Sequence, residues 1–169
     1  MNKKYLTQEE FNNMTLSLSR QITSTRKSFR YVYGIERGGV FISEPVAKYL
    51  LAMHRTFKIS FYKENGEVNP EPVHDFGKYN FDYIRETSYV PFLLCDDLLD
   101  GGNTLNWFIS KTGLIQGKHF LFACLFYAPH NKYGLKPDFY VQEKKENEWI
   151  VFPHEVRREA EEKALQATA

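Results

Sequence analysis

The sequence is poor in the features that mark secreted or membrane-spanning proteins. It has only two cysteines, Cys95 and Cys124, and both lie in apolar runs typical of buried strands. We therefore predict two buried thiols and no disulfide or metal pair. No apolar run reaches spanning length, and no apolar signal segment follows Lys3 and Lys4. These absences predict a cytoplasmic protein with no membrane partner.

An excess of charge is also lacking, since 22 basic residues balance 21 acidic ones. A net charge of +1 gives no electrostatic reason to expect a nucleic-acid partner. Aromatic residues, in contrast, are abundant at 16%, mostly Phe and Tyr, which predicts a core built largely from rings. The 169 residues suffice for one domain with a full core, and no repeat or linker divides residues 1–169.

Short apolar runs alternate with helical patterns along most of the chain. A capping box at Thr7–Glu10 opens an amphipathic helix, and further helices are predicted within 40–53 and from Leu105. Pro45 is tolerated only in a first turn, so the regular part of the second helix is expected to begin near residue 43 or 44. The predicted strands are 29–35, 56–62, 92–95, 120–127 and 138–142. This alternation predicts an α/β fold with a doubly wound, mostly parallel sheet flanked by helices.

Two segments depart from the alternation. Residues 63–89 are long, polar and rich in Gly, Pro, Asn and His, which is typical of a mobile lid. Residues 155–169 combine strong helix formers with many charges and few apolar residues. The second segment is therefore predicted to be a solvated C-terminal helix.

The stretch 92–105 is the densest in chemical groups. An apolar strand is followed by two adjacent carboxylates, Asp96 and Asp97, and by a third, Asp100. The turn 101–104, Gly-Gly-Asn-Thr, then leads into a helix, where free backbone N–H groups can bind an anion. Carboxylates beside a phosphate-binding turn suit a ligand that carries hydroxyls and phosphate, or phosphate with a divalent metal.

A second glycine loop, 36–39 with the sequence Glu-Arg-Gly-Gly, follows the strand predicted at 29–35. Its two glycines permit close approach of the backbone to a ligand. Arg37 offers a fork of donors suited to pyrophosphate. Because ligands of open parallel sheets bind beyond the carboxyl ends of the strands, the two loops are expected to share one site.

These motifs resemble those of the type I phosphoribosyltransferases, which consume the pyrophosphorylated ribose phosphate PRPP. Asp96, Asp97, Asp100, Gly102 and Thr104 match the PRPP-binding motif, whereas Gly101 stands where the family usually has Thr. The compact bacterial xanthine–guanine enzymes are the most similar group, and the likeness runs from about residue 4 to residue 154. The resemblance implies a dimer or tetramer.

The resemblance also implies roles for the two loops. Asp96 and Asp97 would hold the ribose hydroxyls, directly or through Mg²⁺, with Asp97 as the metal ligand. Asp100 would face the base and assist proton movement as the catalytic residue. The 5′-phosphate would lie in the turn formed by Asp100, Gly101, Gly102, Asn103 and Thr104. Pyrophosphate would contact Glu36, Arg37, Gly38 and, from the lid, Lys78.

At the base end, the resemblance assigns a small hood, residues 138–154. Trp149 would stack on a purine and the backbone of Ile150 would contact its ring; a core or interface role for Trp149 is the alternative. The related enzymes usually have Lys where this chain has Ala128, and Lys132 is the candidate substitute. The identity of the base therefore stays open.

The function implied is Mg²⁺-dependent transfer of phosphoribose from PRPP to a nucleobase, most readily a purine. Two alternatives share the fold: a non-catalytic regulator that binds PRPP or a nucleotide, and a transferase for a non-purine base. A phosphoacceptor receiver domain also has adjacent aspartates. Its acidic pair follows the first strand, however, whereas this pair comes late in the chain.

Overall fold

The computed structural model describes residues 2–62, 68–77, 79–87 and 90–167. Strands and helices alternate along much of this range, as the sequence predicted, but in two places strands follow one another without a helix between them. In chain order they are β1 (Asn2–Tyr5), α1 (Gln8–Ser24), β2 (Tyr31–Glu36), α2 (Val40–Leu50), β3 (Met53–Tyr62), β4 (Val68–Asp75), α3 (Phe81–Thr87), β5 (Phe92–Leu99), α4 (Asn103–Thr112), β6 (Phe120–Tyr127), β7 (Phe139–Glu143), β8 (Glu148–Val151) and α5 (Pro153–Ala167).

The main sheet has six strands in the order β4-β3-β2-β5-β6-β7. Every pair in it is parallel except β3 with β4, so the predicted doubly wound, mostly parallel sheet is confirmed. From β2 the chain crosses to β3 on one side, and from β5 it crosses to β6 on the other. The topological switch point therefore lies between β2 and β5, where a ligand crevice is expected.

Two layers of apolar side chains cover the two faces of this sheet. One layer joins α1 and α2 to the sheet and contains Leu18, Ile22 and Cys95. The other is rich in rings, for instance Phe57 stacked on Phe108 with centroids 5.3 Å apart. The aromatic core is thereby confirmed, and both cysteines are free and buried, as predicted.

The N-terminal part of the chain holds one expected and one unexpected feature. The capping box of α1 is present, because Thr7 Oγ1 accepts from the Glu10 N–H and Glu10 accepts from the Thr7 N–H. β1, which precedes it, was not predicted. It pairs in parallel with β8 to form a separate two-stranded sheet, so the two ends of the domain are joined.

The predicted start of α2 was wrong by about one turn. The helix begins at Val40, because the carbonyls of the preceding glycine loop accept its first N–H groups; one example is Ser43 N to Gly39 O at 2.9 Å. Pro45 consequently lies inside the helix and withholds the N–H that would pair with the Phe41 carbonyl.

The segment 63–89 contains regular structure that the sequence reading missed. β4 pairs antiparallel with β3 at the edge of the sheet, and α3 buries Phe81 in the aromatic core. An edge strand tolerates prolines such as Pro72, which is why a polar, proline-containing sequence forms a strand here. The role of this segment as a lid stays a prediction, and residues 63–67, 78 and 88–89 lie outside the described part.

Candidate active site

Both predicted ligand loops open into one cleft at the switch point. The cleft has a volume of about 1070 Å³ and lies at the carboxyl ends of β2 and β5. It is lined by residues of both loops together with neighbours from β3, β6 and α5. The lining residues drawn from the predictions are Glu36, Arg37, Gly38, Asp96, Asp97, Asp100, Gly101, Gly102, Asn103 and Thr104.

The first loop packs closely against the acidic strand. A Cβ atom added to Gly38 would overlap the carboxylate of Asp97, and one added to Gly39 would overlap the Cys95 carbonyl oxygen. Both glycines are therefore required by the close approach between this loop and β5. At the base of the loop, Glu36 Oε1 accepts from Thr56 Oγ1 at 2.7 Å, which anchors the end of β2 to β3.

Asp96 and Asp97 lie within β5 and not beyond its end, because pairing with β6 continues as far as Leu99 and Tyr127. The Asp97 N–H donates to Asp96 Oδ1 at 3.0 Å. Burial raises the pKa of Asp96 well above its usual range, and the neighbouring charge of Asp97 raises it further. This arrangement favours a ligand that brings positive charge or hydroxyl donors to the pair.

Asp97 also contacts a residue that the sequence reading did not assign. His154, in the first turn of α5, approaches Asp97 Oδ2 through Nε2 at 3.2 Å. A carboxylate can only accept, so Nε2 donates. The sequence offered no signal for this contact, because 57 residues separate the two positions.

Asp100 is paired with a second unpredicted residue, Lys144. The ammonium of Lys144 lies 3.0 Å from Asp100 Oδ1, and its side chain is only 9% exposed, whereas that of Asp100 is 51% exposed. Lys144 follows β7 directly, and its N–H donates to the Tyr127 carbonyl at the end of β6. In the sequence it belongs to a charged run, 143–146, that resembles a solvated surface turn.

The second loop ends at the N-terminus of α4. Gly102 is the N-cap with φ of +82°, and an added Cβ would lie 3.2 Å from Asn131 Oδ1, so this position requires glycine. Gly102 has no side chain with which to cap α4, so among the described residues the first N–H groups of the helix are available to an anion. Asn103 Oδ1 accepts from the Tyr133 hydroxyl at 3.1 Å.

The predicted base-binding residues are not among those that line the cleft. Trp149 is 47% exposed on β8, and Ile150 is buried in the core layer below α1. The Lys132 side chain is exposed, with its ammonium 5.2 Å from the Tyr133 ring centroid, although its backbone N–H donates to Gly101 O. Lys78, predicted to bind pyrophosphate, lies outside the described residues.

One side of the cleft is formed by α5, which the sequence reading treated as solvated. His154, Glu155, Arg158 and Glu162 line the cleft at helical spacing, and Lys58 contributes from β3. Arg158 Nε lies 3.6 Å from Glu162 Oε1 on the same helix. The predicted C-terminal helix is present and most of its described residues are exposed, as expected, but four side chains along one face line the cleft, which the sequence did not indicate.

Within the described residues, no group of three or more His, Cys, Asp and Glu side chains is arranged to hold a metal ion. Nor does any helix in the described part of the chain combine the length and apolarity needed to cross a membrane.

Comparison with solved structures identifies the fold. A purine phosphoribosyltransferase from Pyrococcus horikoshii Ot3 is similar with a TM-score of 0.68 and 24% identity, over 92% of this chain and 95% of that one. A xanthine-guanine-hypoxanthine phosphoribosyltransferase from Helicobacter pylori is similar with a TM-score of 0.70 and 18% identity, over 96% and 99%. A hypothetical protein from Neisseria gonorrhoeae with bound ppGpp has a TM-score of 0.67 and 16% identity, over 90% and 89%.

Neither a protein-family model nor a curated protein matches the chain. The structural matches nevertheless cover nearly the whole of it, at TM-scores of 0.68 and 0.70. The chain therefore has the type I phosphoribosyltransferase fold, and the resemblance seen in its motifs is confirmed at the level of the fold.

Proposed function

We propose that this protein is a phosphoribosyltransferase that transfers the 5-phosphoribosyl group of PRPP to a nucleobase, most readily a purine. The observation that carries the proposal is the shared cleft. Arg37 in the loop after β2, the acidic pair within β5 and the glycine turn before α4 open into one volume large enough for a phosphorylated sugar and a base. Had Arg37 and Asp97 opened onto different faces, the proposal would have no site.

Each group then has a chemical task. The free N–H groups at the start of α4 bind the 5′-phosphate, and Arg37 binds the departing pyrophosphate. Asp96 and Asp97 accept hydrogen bonds from the ribose hydroxyls. A ring nitrogen of the base forms a bond to the anomeric carbon as the bond to pyrophosphate breaks. Asp100 accepts the proton that the base loses.

The donors present suit Mg²⁺. Mg²⁺ is usually bound by one or two carboxylates together with substrate phosphates and water, and not by an all-protein cage. Asp97, whose carboxylate is 18% exposed in the cleft, is the proposed protein ligand. Bound there, the ion would offset negative charge on pyrophosphate.

The decisive assay supplies purified protein, Mg²⁺ and PRPP with guanine, xanthine, hypoxanthine, adenine or a pyrimidine, and measures pyrophosphate release. Release with one or more purines supports the proposal. Release only with a pyrimidine keeps the reaction class and changes the base. No release with any base, at protein concentrations that bind PRPP, contradicts catalysis.

A regulatory nucleotide-binding protein is the second candidate function. A structural neighbour with this fold has bound ppGpp, and this chain departs from the catalytic pattern at Gly101 and Ala128. Under this alternative, PRPP or a nucleotide binds in the same cleft and no base is consumed. Calorimetric titration of both ligands, alongside the release assay, distinguishes the two functions.

Lys144 is proposed to supply the positive charge at the base end that Ala128 cannot. We expect Lys144→Met to lower kcat/KM for the base by about 10-fold to 100-fold, since a hydrogen bond to a charged group contributes about 1.5–3 kcal/mol. PRPP affinity should stay within about threefold. Lys145→Met is the matched control, since Lys145 is exposed, and it should behave as the wild type. Equal kinetics in both variants would exclude Lys144 from the base site.

Gly101 offers a gain of function. Its φ is not positive, and an added Cβ would meet only Asn103 Nδ2 at 3.6 Å among the described residues. Gly101→Thr should therefore fold normally and tighten PRPP binding by about fivefold, because one new hydrogen bond contributes about 1 kcal/mol. Isothermal titration measures this, and Gly102→Thr, at φ +82°, should instead destabilise the protein. Weaker binding by a folded Gly101→Thr protein would contradict the expected geometry of the turn.

A further inference from the structure

The imidazole ring of His154 is packed among aromatic side chains. One face of its ring stacks on Phe41, with centroids 4.3 Å apart and planes at 8°. The other stacks on Phe152 at 5.3 Å and 12°, and Phe11 packs edge-on at 5.9 Å. Three aromatic side chains therefore set the plane of the imidazole, and only 8% of the His154 side chain is exposed.

His154 lies between the cleft and a second, smaller cavity. His154 lines both the cleft and a small apolar groove of about 310 Å³ among α1, α2 and α5, and its Nε2 donates to Asp97 Oδ2 at 3.2 Å. The backbone around His154 is also fixed by a hydrogen bond, because the Phe152 N–H donates to Glu155 Oε2 at 2.8 Å. The hydrogen-bond donor is therefore presented to Asp97 from a rigid support.

Packing alone does not require a histidine at this position. A phenylalanine would fill the space between Phe41 and Phe152 and would avoid the cost of burying a polar nitrogen. The Asp97 carboxylate also lies so close to Gly38 that a Cβ atom added there would overlap it. Asp97 is therefore held by contacts with both the backbone of the first loop and the imidazole of α5.

We infer that His154 is a positioning residue that fixes the Asp97 carboxylate in the orientation that binds PRPP. The inference rests on the proposed function and adds to it a contribution from α5. A carboxylate held before the ligand arrives loses less conformational freedom on binding, so the benefit appears in ligand affinity. His154 itself need not touch the substrate.

Two substitutions separate positioning from packing. His154→Phe keeps the ring between Phe41 and Phe152 but removes the donor, and His154→Gln keeps an N–H donor but removes the ring. We expect thermal stability to rank Phe above Gln. PRPP affinity should rank in the opposite order, with His154→Phe weaker than wild type by about tenfold or more and His154→Gln within about threefold. In steady-state kinetics the loss in His154→Phe should appear as a raised KM for PRPP.

A double-mutant cycle with Asp97→Asn tests the route of the effect. If His154 acts through Asp97, His154→Phe should weaken PRPP binding much less in the Asp97→Asn background than in the wild type. The inference is overturned if His154→Phe binds PRPP as tightly as wild type, if affinity follows stability across the two variants, or if the two substitutions are additive.

Failure of the proposed function gives a different result. In that case the wild-type protein binds no PRPP in the presence of Mg²⁺, and the His154 variants cannot be ranked by affinity. The four proteins of the cycle, which are the wild type, His154→Phe, Asp97→Asn and the double variant, are then compared by chemical denaturation, which needs no ligand. Additive shifts of the midpoint would overturn the coupling between His154 and Asp97, and non-additive shifts would support it.

Discussion

Asp100→Asn is expected to lower turnover by about two to four orders of magnitude, the usual contribution of general acid–base catalysis. The amide keeps the shape of the carboxylate but cannot take the proton that the base loses. Asp100 is suited to this role because its side chain is half exposed at the rim of the cleft, beside the ammonium of Lys144. Pre-steady-state and steady-state rates of pyrophosphate release measure the loss.

PRPP affinity should change little in this variant, because backbone N–H groups and Arg37 carry the phosphate contacts in the proposed complex. Glu143→Gln provides the control. It removes a nearby exposed carboxylate at the end of β7 that is not among the cleft-lining residues, and it should retain wild-type rates. Wild-type turnover by Asp100→Asn would remove Asp100 from the mechanism and favour another proton acceptor.

Gly38→Ala is expected to abolish measurable PRPP binding and to lower the stability of the fold. The new methyl group would overlap the Asp97 carboxylate, so either the first loop or β5 must move. Overpacking of this kind typically costs about 1–3 kcal/mol. A displaced Asp97 would also lose its contact with His154. Chemical denaturation and calorimetric titration with PRPP report the two effects separately.

Gly101→Ala is the matched control for the stability measurement. It makes the same chemical change at the rim of the same cleft, but among the described residues the added methyl group would make only an ordinary contact with Asn103 Nδ2, at 3.6 Å. Its free energy of unfolding should equal that of the wild type or exceed it by a few tenths of a kcal/mol, because alanine restricts the unfolded chain. A Gly38→Ala protein as stable as this control, with wild-type PRPP affinity, would show that the loop and β5 are not in close contact.

Local patterns accounted for most of the sheet. The predicted strand 120–127 coincides with β6, because an eight-residue apolar run with turns at both ends has few other ways to be buried. Boundaries were less accurate where tertiary contacts decide them. β5 extends to Leu99, through Asp96 and Asp97, since pairing with β6 outweighs the poor strand propensity of aspartate.

The surroundings of Asp100 illustrate what spacing along the chain leaves open. Lys132 was predicted to contact the base because of its position after Ala128, and that role stays a prediction, but the lysine that contacts Asp100 is Lys144, which follows β7. Adjacent parallel strands bring their carboxyl ends together whatever the length of the connection between them. Spacing along the chain therefore could not indicate which lysine would lie beside Asp100.

The amino-acid sequence by itself indicated most strands of the main sheet, the helices beside them, and the two stretches whose glycines, arginine and aspartates line the cleft. These features depend on apolar periodicity, turn residues and neighbours within a few positions. The tertiary structure alone decided that α5 closes one side of the cleft, that Lys144 pairs with Asp100 and that His154 holds Asp97. Those contacts join residues far apart in the chain, and only the packing of the sheet and of α5 brings them within hydrogen-bonding distance.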